Sequence, residues 1–251
     1  ILNKKICDYV LQIKFLKIMS KVIYITGGTK GIGFGIAEVL LKNGHKVAIS
    51  GRKQEDVDKA VSELKTISES VFGVSSDVRN FEDEENAISK IVERFGRVDV
   101  VIANAGLGIF KPVDELSIED WNAMQETNLT GAFYTLKASV EELKKSQGYY
   151  ITIASLAGTN FFENGSGYNA SKFGVVGFTQ AAMIDLRKYN IKVSTIMPGS
   201  VATYFNGNVP SEKDEWKIQP EDMGNLVLDM LNMNPRVLPS KIEFRASQVK
   251  K

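Results

Sequence analysis

The sequence is poor in the residues that build disulfides and metal sites. Its 251 residues contain one Cys and one His. Cys7 cannot form an intramolecular disulfide, and with a single His45 the chain offers neither a Cys-rich zinc site nor a multi-histidine centre. We therefore expect no bound metal. Any proton chemistry must come mainly from Tyr, Lys, Asp, Glu or Ser side chains.

The chain also lacks a charge imbalance and long apolar runs. It carries 31 Lys and Arg against 30 Asp and Glu, so nothing in its charge suggests nucleic acid as a partner. Its apolar runs are shorter than the ~18–20 residues of a membrane span, and no secretory signal is recognisable. We expect a cytoplasmic protein without a membrane span. A composition of 43% hydrophobic and 24% charged residues is typical of a globular protein.

The first eighteen residues differ in composition from the rest. Between Ile1 and Ile18 four lysines stand against the single Asp8, interleaved with apolar residues. We expect 1–18 to be an N-terminal extension outside the fold and 19–251 to form one catalytic domain. An amphipathic helix on a membrane surface is the alternative for the extension.

Short β-branched runs alternate with longer amphipathic stretches along the remaining chain. The clearest helix pattern is Asn80–Phe95, with Asn80 as N-cap, acids in the first turn and Gly96 at the end. Near-continuous apolar strands indicate a parallel sheet covered on both faces. The predicted fold class is α/β, a single-domain Rossmann-type doubly wound parallel β-sheet with helices on both faces. The predicted strands are Val22–Thr26, Val47–Ser50, Val71–Val74, Val98–Ala103, Tyr150–Ile153 and Val193–Met197.

A glycine-rich segment joins the first predicted strand to a helix predicted over Phe34–Lys42. Glycines at such a turn let the backbone approach a pyrophosphate, which then lies on the helix N-terminus. A tight structural turn would use the same residues. No Gly-Lys-Ser/Thr is present, so the segment is not a nucleotide-hydrolase phosphate loop. The predicted cofactor-binding residues of this loop are Gly27, Thr29, Lys30, Gly31, Ile32 and Gly33.

The end of the second predicted strand indicates which dinucleotide binds. A site for NAD usually places an acid there, but this strand ends Ser50-Gly51-Arg52-Lys53. The Arg52 guanidinium offers planar donors to a 2′-phosphate, and Lys30 adds a second cation. The pattern predicts NADP(H) as the cofactor. The alternative is that Arg52 and Lys53 simply begin a solvated helix.

Three further residues have the types and spacing of a proton-transfer site. Tyr168 and Lys172 are four apart in a helical pattern running to about Tyr189, so they project from one face. An ammonium near a phenol lowers the phenol pKa from ~10 toward neutrality, which would make Tyr168 a general acid or base. Ser155 follows the strand Tyr150–Ile153 at its carboxyl end, where ligands bind in open α/β sheets. Its hydroxyl is predicted to orient a substrate carbonyl.

Together these motifs resemble the short-chain dehydrogenases/reductases, over essentially all of Ser20–Ala246. The resemblance implies hydride transfer between a nicotinamide and a small-molecule carbonyl or alcohol substrate, in a homodimer or homotetramer. The matching motifs are T-G-G-T-K-G-I-G at 26–33, Asp77-Val78, Asn104-Ala105-Gly106, Asn128, Ser155, Tyr168 with Lys172, and Pro198-Gly199.

The same resemblance assigns roles to residues that the spacing alone does not explain. It implies that Asn128 joins Lys172 through a water, completing a catalytic set with Ser155 and Tyr168. It also implies that Tyr168 and Lys172 contact the cofactor. The remaining cofactor contacts that it implies are Asp77 and Val78 at the adenine, Asn104, Ala105 and Gly106 beside the central sheet, and Pro198, Gly199, Val201 and Thr203 at the nicotinamide.

The sequence departs from the 3-oxoacyl-carrier-protein reductases, which it otherwise resembles most. Those enzymes usually end with a V-x-G-G-like element, whereas this chain has Leu238–Ala246, and its segment between Thr203 and Pro220 is short. The sequence therefore does not identify the substrate. Within the enzyme class, an epimerase or dehydratase of the sugar-nucleotide branch would need about fifty more residues by resemblance. From a different class, an NADPH-binding sensor without turnover is the alternative. Aromatic residues expected at the substrate mouth are Phe161, Phe162, Tyr204, Phe205 and Trp216.

Overall fold

Seven strands alternate with helices in the computed structural model, which describes residues 20–248. The predicted extension 1–18, with Cys7, lies outside these residues. The strands are β1 (Val22–Ile25), β2 (Lys46–Gly51), β3 (Val71–Ser75), β4 (Val100–Ala103), β5 (Tyr149–Ile153), β6 (Lys192–Pro198) and β7 (Lys241–Phe244). The helices are α1 (Gly31–Lys42), α2 (Gln54–Lys65), α3 (Phe81–Phe95), α4 (Ile118–Met124), α5 (Gly131–Ser146), α6 (Ser166–Leu186) and α7 (Pro220–Asn232).

The seven strands form one parallel sheet in the order β3-β2-β1-β4-β5-β6-β7. The chain runs outward from β1 to β3 and then returns to place β4 on the other side of β1. The carboxyl ends of β1 and β4 therefore border the switch point, where ligands bind in this class of fold. The predicted Rossmann-type doubly wound sheet is confirmed.

Alternate residues of the strands enter two separate hydrophobic cores. On β1, Ile23 and Ile25 are fully buried against α1, α2 and α7. Val22 and Tyr24 face the other way, toward α3, α5 and α6. Both faces of the sheet are covered, which is why the central strands have no polar alternation.

The six predicted strands are present, with ends shifted by at most two residues. Helix α3 begins as predicted, because the Asn80 side chain accepts a hydrogen bond from Glu82 N, and it ends at Gly96 with φ of +85°. Helix α1 starts at Gly31, three residues before the predicted start. The seventh strand, β7, was not predicted. It lies at the edge of the sheet with alternating exposed and half-buried residues, unlike the apolar inner strands.

None of the helices within 20–248 is long and apolar enough to cross a membrane. Over the same residues, no group of three or more His, Cys, Asp or Glu side chains is arranged to hold a metal ion.

Candidate active site

The glycine-rich loop leads from β1 directly into the N-terminus of α1. Gly27 and Gly31 adopt the left-handed backbone, with φ of +62° and +59°, which a side chain would strain. Lys30 is the N-cap of α1, and its side chain makes no capping hydrogen bond. The first N–H groups of α1 therefore have no side-chain cap, and such groups bind anions well.

Asn104, just after β4, holds this loop in place. Its Nδ2 donates to Thr26 O at 2.9 Å and to Gly27 O at 3.0 Å. The backbone N–H groups of Asn104 and Ala105 both donate to Thr26 Oγ1, at 3.0 and 3.1 Å. A Cβ at Gly33 would lie 2.5 Å from Nδ2 of Asn104, so the contact between the two loops requires glycine at that position. The structural role of the Thr26 hydroxyl was not recognised from the sequence.

Two cations lie exposed at the outer side of the loop. Thr29 packs on Gly51, because a Cβ at Gly51 would lie 2.6 Å from Thr29 Cγ2. Lys30 and Arg52 follow these two residues in sequence and are both exposed. Within residues 20–248 neither of them forms a salt bridge. Their charges are thus available to an anionic ligand near the end of β2.

Asp77 and Val78 follow β3 on the same edge of the sheet. Arg79 pairs with the Asp77 carboxylate at 2.6 Å, and its hydrogen bonds hold the Asp77 pKa below the usual value. Val78 is buried and packs on Gly131, where a Cβ would lie 2.7 Å from Val78 Cγ2. Asp77 is half-buried beside this packed residue.

The loop after β6 comes back to the glycine-rich loop. β6 ends at Pro198, and Gly199 N donates to Phe244 O of β7 at 2.8 Å. Val201 pairs with Ile218 as an isolated bridge. The methyl group of Thr203 lies 3.4 Å from the point where a Gly31 Cβ would be. Thr203, predicted for the nicotinamide end, therefore lies against Gly31 of the loop predicted to hold the pyrophosphate.

Tyr168 and Lys172 lie on one face of α6, as predicted, with Ser155 opposite them at the end of β5. Tyr168 and Lys172 are buried, with 8% and 5% of their surfaces exposed. Lys172 Nζ donates to Ile153 O at 3.0 Å and lies 5.8 Å from the centre of the Tyr168 ring. Ser155 Oγ accepts from Ala157 N at 3.1 Å.

Burial shifts the pKa values of this pair in opposite directions. It raises the pKa of Tyr168 to about 12, and the nearby Ser155 hydroxyl offsets part of that rise. It lowers the pKa of Lys172 to about 8. The sequence predicted a lowered Tyr168 pKa, and that direction is wrong. The cost of burying a phenolate dominates, and the lysine ammonium contributes no resolved lowering.

Asn128 lies in a π-helical segment, Gln125–Thr130, between α4 and α5. Its Oδ1 accepts from Leu107 N and its Nδ2 donates to Leu107 O, both at 2.9 Å. Nδ2 also lies 2.9 Å from Ser171 Oγ, a partner that the sequence did not suggest. A Cβ at Gly106 would lie 3.2 Å from Asn128 Oδ1 and 3.6 Å from Lys172 Nζ. Asn128 and Lys172 therefore converge on Gly106.

Three phenylalanine rings surround the Tyr168 phenol. Phe110, Phe205 and Phe162 have ring centres 5.4, 5.7 and 6.5 Å from that of Tyr168. Phe162 and Phe205 were expected at the mouth, whereas Phe110 was missed, since it follows β4 by seven residues in an irregular loop.

The other aromatic residues expected at the mouth do not join these rings. Phe161 stacks instead on Phe173, with centres 5.4 Å apart. Tyr204 is 53% exposed, and Trp216 lies beside Lys217.

The Rossmann-type sheet and the glycine-rich loop at its switch point define a nucleotide-binding protein. Comparison with known proteins makes the class specific. A family model described as short chain dehydrogenase matches residues 21–214. The chain belongs to the short-chain dehydrogenase/reductase family.

Several relatives agree with that assignment. The chain is 33% identical over 225 residues to trans-4-hydroxycyclohexanecarboxylate dehydrogenase of Sinomonas cyclohexanicum, covering 84% of this chain and 86% of the relative. A solved alcohol dehydrogenase from Thermococcus sibiricus, complexed with 5-hydroxy-NADP, is 33% identical with a TM-score of 0.85, covering 92% and 99% of the two chains. A 3-ketoacyl-(acyl-carrier-protein) reductase from Brucella melitensis, complexed with NADH, shares the fold at 22% identity and a TM-score of 0.83, over 90% and 97%. The resemblance to 3-oxoacyl reductases is confirmed by sequence, since a putative ketoacyl reductase of Streptomyces coelicolor is 34% identical over 227 residues, covering 89% of this chain and 87% of the relative.

Proposed function

We propose that the protein is an NADP(H)-dependent reductase or dehydrogenase that interconverts a small carbonyl compound and its alcohol. The observation that carries the proposal is the placement of Tyr168, Ser155 and Lys172 together at the carboxyl end of β5. The solved relative from Thermococcus sibiricus holds an NADP derivative, which supports the choice of cofactor. The expected catalytic set is Asn128, Ser155, Tyr168 and Lys172.

The residues around the glycine-rich loop suit a dinucleotide. The approach of Asn104 to Gly33 leaves no room for a Cβ, and the uncapped N-terminus of α1 suits a pyrophosphate. Lys30 and Arg52 would hold a 2′-phosphate, and Thr203 would contact the nicotinamide end. When bound, NADPH would supply a hydride to the carbonyl carbon of the substrate. The full set proposed to contact the cofactor is Gly27, Thr29, Lys30, Gly31, Ile32, Gly33, Arg52, Asp77, Val78, Asn104, Ala105, Gly106, Tyr168, Lys172, Pro198, Gly199, Val201 and Thr203.

The protein's own residues would align the carbonyl and complete its protonation. The hydroxyl groups of Ser155 and Tyr168 would donate hydrogen bonds to the carbonyl oxygen, where negative charge develops. Tyr168 would then transfer its proton to that oxygen, which yields the alcohol and leaves a phenolate. A Tyr168 pKa of about 12 keeps the donor protonated at neutral pH. Lys172, whose Nζ lies 5.8 Å from the centre of the Tyr168 ring, would contact the cofactor beside it.

Replacing Tyr168 by Phe tests the catalytic assignment. The variant lacks the proton donor but keeps the ring packing, so NADPH binding should persist while turnover falls by roughly 10²–10⁴. NADPH oxidation across ketones, quinones and 3-oxoacyl thioesters measures the rate, and fluorescence titration measures binding. Wild-type activity in Tyr168→Phe would overturn the assignment. NADPH binding by the wild type without oxidation of any compound would favour the sensor instead.

Replacing Arg52 by Asp tests the cofactor preference. A carboxylate there would repel the 2′-phosphate, so kcat/KM for NADPH should fall by about 10-fold or more while that for NADH holds or rises. Arg236→Asp, an exposed charge change between α7 and β7, is the matched control. If the wild type used NADH as well as NADPH, the proposed preference would be wrong.

A further inference from the structure

An acidic side chain outside the proposed catalytic set lies buried at the start of α3. Glu84 is fully buried, and its Oε1 accepts hydrogen bonds from Ser76 Oγ at 2.6 Å and from Tyr24 Oη at 3.0 Å. Its Oε2 is also buried but has no hydrogen-bond partner within residues 20–248. Over the same residues, Glu84 takes part in no salt bridge. Hydroxyl groups therefore hold this carboxyl group, without a cation.

The surroundings of Glu84 favour a neutral carboxylic acid. The titratable groups that face it are the phenols of Tyr24 on β1 and Tyr150 on β5, and Asp83 precedes it on α3. Thr135 contributes a facing hydroxyl group from α5. Burial raises the pKa of Glu84, and the charge of Asp83 adds to the rise, while the hydroxyl groups offset part of it.

The position of Glu84 in the first turn of α3 does not reverse this preference. The positive end of a helix dipole stabilises a carboxylate by about 0.3–1 kcal/mol, and by up to ~2 kcal/mol at partly buried sites. Removing a carboxylate from water without a cation costs several kcal/mol. The burial cost is the larger of the two. Glu84 therefore keeps its proton to a higher pH than an exposed glutamate does.

The Glu84 carboxyl group joins the carboxyl ends of three adjacent strands. Tyr24 is on β1, and its Oη lies 3.0 Å from Ser50 Oγ on β2 as well as 3.0 Å from Glu84 Oε1. Ser76 follows β3, and its N–H donates to Gly51 O of β2 at 3.0 Å. Ser50 and Ser76 are both buried. Ligands bind at these strand ends in open α/β sheets.

The first turn of α3 also fixes the segment that is expected to contact the adenine. Glu84 accepts from the Ser76 hydroxyl group, and Asp83 Oδ2 accepts from the N–H of the next residue, Asp77, at 3.0 Å. Val78 follows Asp77 and is buried. Two consecutive acids of one helix thus hold two consecutive residues of the loop after β3.

The same hydrogen-bond network reaches the glycine-rich loop. Ser50 contacts Tyr24 through its hydroxyl group and accepts from Gly28 N through its carbonyl oxygen, at 2.9 Å. A negative charge on Glu84 would need solvation, which requires the buried groups around it to move apart. Because those groups lead to both loops, the movement would disturb the adenine and pyrophosphate ends of the cofactor site together.

We propose that Glu84 is a positioning residue for the adenine end of the cofactor site. As a neutral acid it holds Ser76 and Tyr24, and its ionisation releases the Asp77-Val78 segment and weakens NADP(H) binding. This inference rests on the proposed cofactor site and adds a residue that does not itself contact the cofactor.

Calorimetric titration with 2′,5′-ADP, between pH about 6 and about 9.5, tests the effect of ionisation. This fragment carries the adenine, its ribose and the 2′-phosphate but no nicotinamide, so it does not depend on Tyr168 and Lys172. Dividing the wild-type Kd by the Glu84→Gln Kd at each pH removes the titration of the ligand's own phosphates. The ratio should be near one at the lowest pH and should rise toward about tenfold per pH unit once Glu84 ionises.

Two further variants separate positioning from packing. Glu84→Leu keeps apolar bulk but loses the oxygen that Ser76 and Tyr24 bind, so it should weaken 2′,5′-ADP binding by about threefold to tenfold at every pH. Glu84→Gln keeps that oxygen and should bind as the wild type does at low pH. Glu85→Gln, which removes a charge from the exposed next residue, is the matched control and should follow the wild type throughout. Circular dichroism checks that each variant is folded.

A Kd ratio that stays constant over the whole pH range would overturn the role of ionisation. Wild-type binding by Glu84→Leu, or weak binding by Glu84→Gln at low pH, would overturn the positioning role. If Glu84→Leu does not fold, the comparison of Glu84→Gln with the wild type still decides. Failure of the wild type to bind 2′,5′-ADP at any pH would instead contradict the proposed NADP(H) site itself.

Discussion

Lys172 carries its charge at a buried position, with 5% of its surface exposed. Within residues 20–248 its ammonium donates one hydrogen bond, to Ile153 O, and burial lowers its pKa from 10.5 to about 8. The folded chain therefore releases this proton at a lower pH than the unfolded chain does. Burial therefore makes this ammonium easier to deprotonate than that of an exposed lysine.

The buried lysine should make stability depend on pH. Between pH about 8 and about 10 the unfolded chain binds the Lys172 proton and the folded chain does not. The free energy of unfolding therefore increases with pH over this window. Lys172→Met should be more stable than the wild type near neutral pH, and the gap should shrink over that window. Urea unfolding at several pH values measures it.

Two features make the Lys172 test specific. The raised Tyr168 pKa opposes stability only as pH rises from about 10 toward 12, outside the window. Lys59→Met, an exposed change on α2, should show no such pH trend. A constant gap between Lys172→Met and the wild type would contradict the lowered Lys172 pKa.

At the scale of elements, α1 and the loop after β4 depend on each other. Helix α1 carries Gly33 in its first turn, and Asn104 lies against it while bonding the carbonyls of Thr26 and Gly27. The loop that would hold the pyrophosphate is thus shaped by a side chain 78 residues later in the chain. A methyl group at Gly33 would push α1 away from Asn104.

Matched Gly→Ala substitutions test this dependence. Gly33→Ala places a Cβ 2.5 Å from Asn104 and 2.7 Å from Gly27 O, so we expect a loss of about 1–3 kcal/mol and weaker NADPH binding. Gly177→Ala, in α6, has nothing within 4 Å and should stabilise the protein by about 0.5–1 kcal/mol. Thermal unfolding and NADPH titration measure both. Tolerance of Ala at Gly33 without loss of stability would contradict the close contact.

At the scale of the whole molecule, an aromatic patch covers the outer side of α5 and α6. Phe133 is 45% exposed, lies 6.0 Å from Phe178 and 5.8 Å from Tyr134 between ring centres, and Ile184 of α6 is 66% exposed. Exposed apolar patches of this kind often mark interfaces between subunits. We propose this patch as the interface of the homodimer or homotetramer that the sequence predicts.

Sedimentation equilibrium tests the quaternary prediction. The measured mass of the wild type should be two or four times the 27.7 kDa of one chain. Phe133→Glu places a charge in the patch and should shift the mass toward the monomer, whereas Val237→Glu, at a residue that is also 45% exposed, should not. A monomeric wild type would refute the prediction.

The order of the elements could be predicted because local signals were strong. Helix α3 has its Asn80 cap, its acidic first turn and its Gly96 terminator within seventeen residues, and all three act locally. β7 lacked such a signal, because an edge strand buries little and its alternation over Lys241–Phe244 covers only four residues. Its pairing with β6 joins residues that lie more than forty positions apart in the sequence.

The sequence predicted which residues form the site better than it predicted their pKa values. Tyr168 and Lys172 share a face because a helix repeats every 3.6 residues, and that follows from spacing alone. The sign of the Tyr168 pKa shift did not follow, since it depends on burial by Phe110, Phe162 and Phe205, which come from three separate loops. Phe110 itself had no motif to mark it.

By itself the sequence determined the alternation of strands and helices, the glycine turn at α1 and the Tyr168–Lys172 pair, because these depend on residue type at short separation. The tertiary structure alone decided that Asn104 would lock the loop of Gly27, and that Thr203 would lie against Gly31. It also decided that aromatic rings would enclose Tyr168. Those contacts join residues far apart in the chain, and only packing of the sheet and helices sets their distances. The near-absence of Cys and His, by contrast, is a property of the sequence alone, and it already restricts proton chemistry mainly to Tyr, Lys, Asp, Glu or Ser side chains.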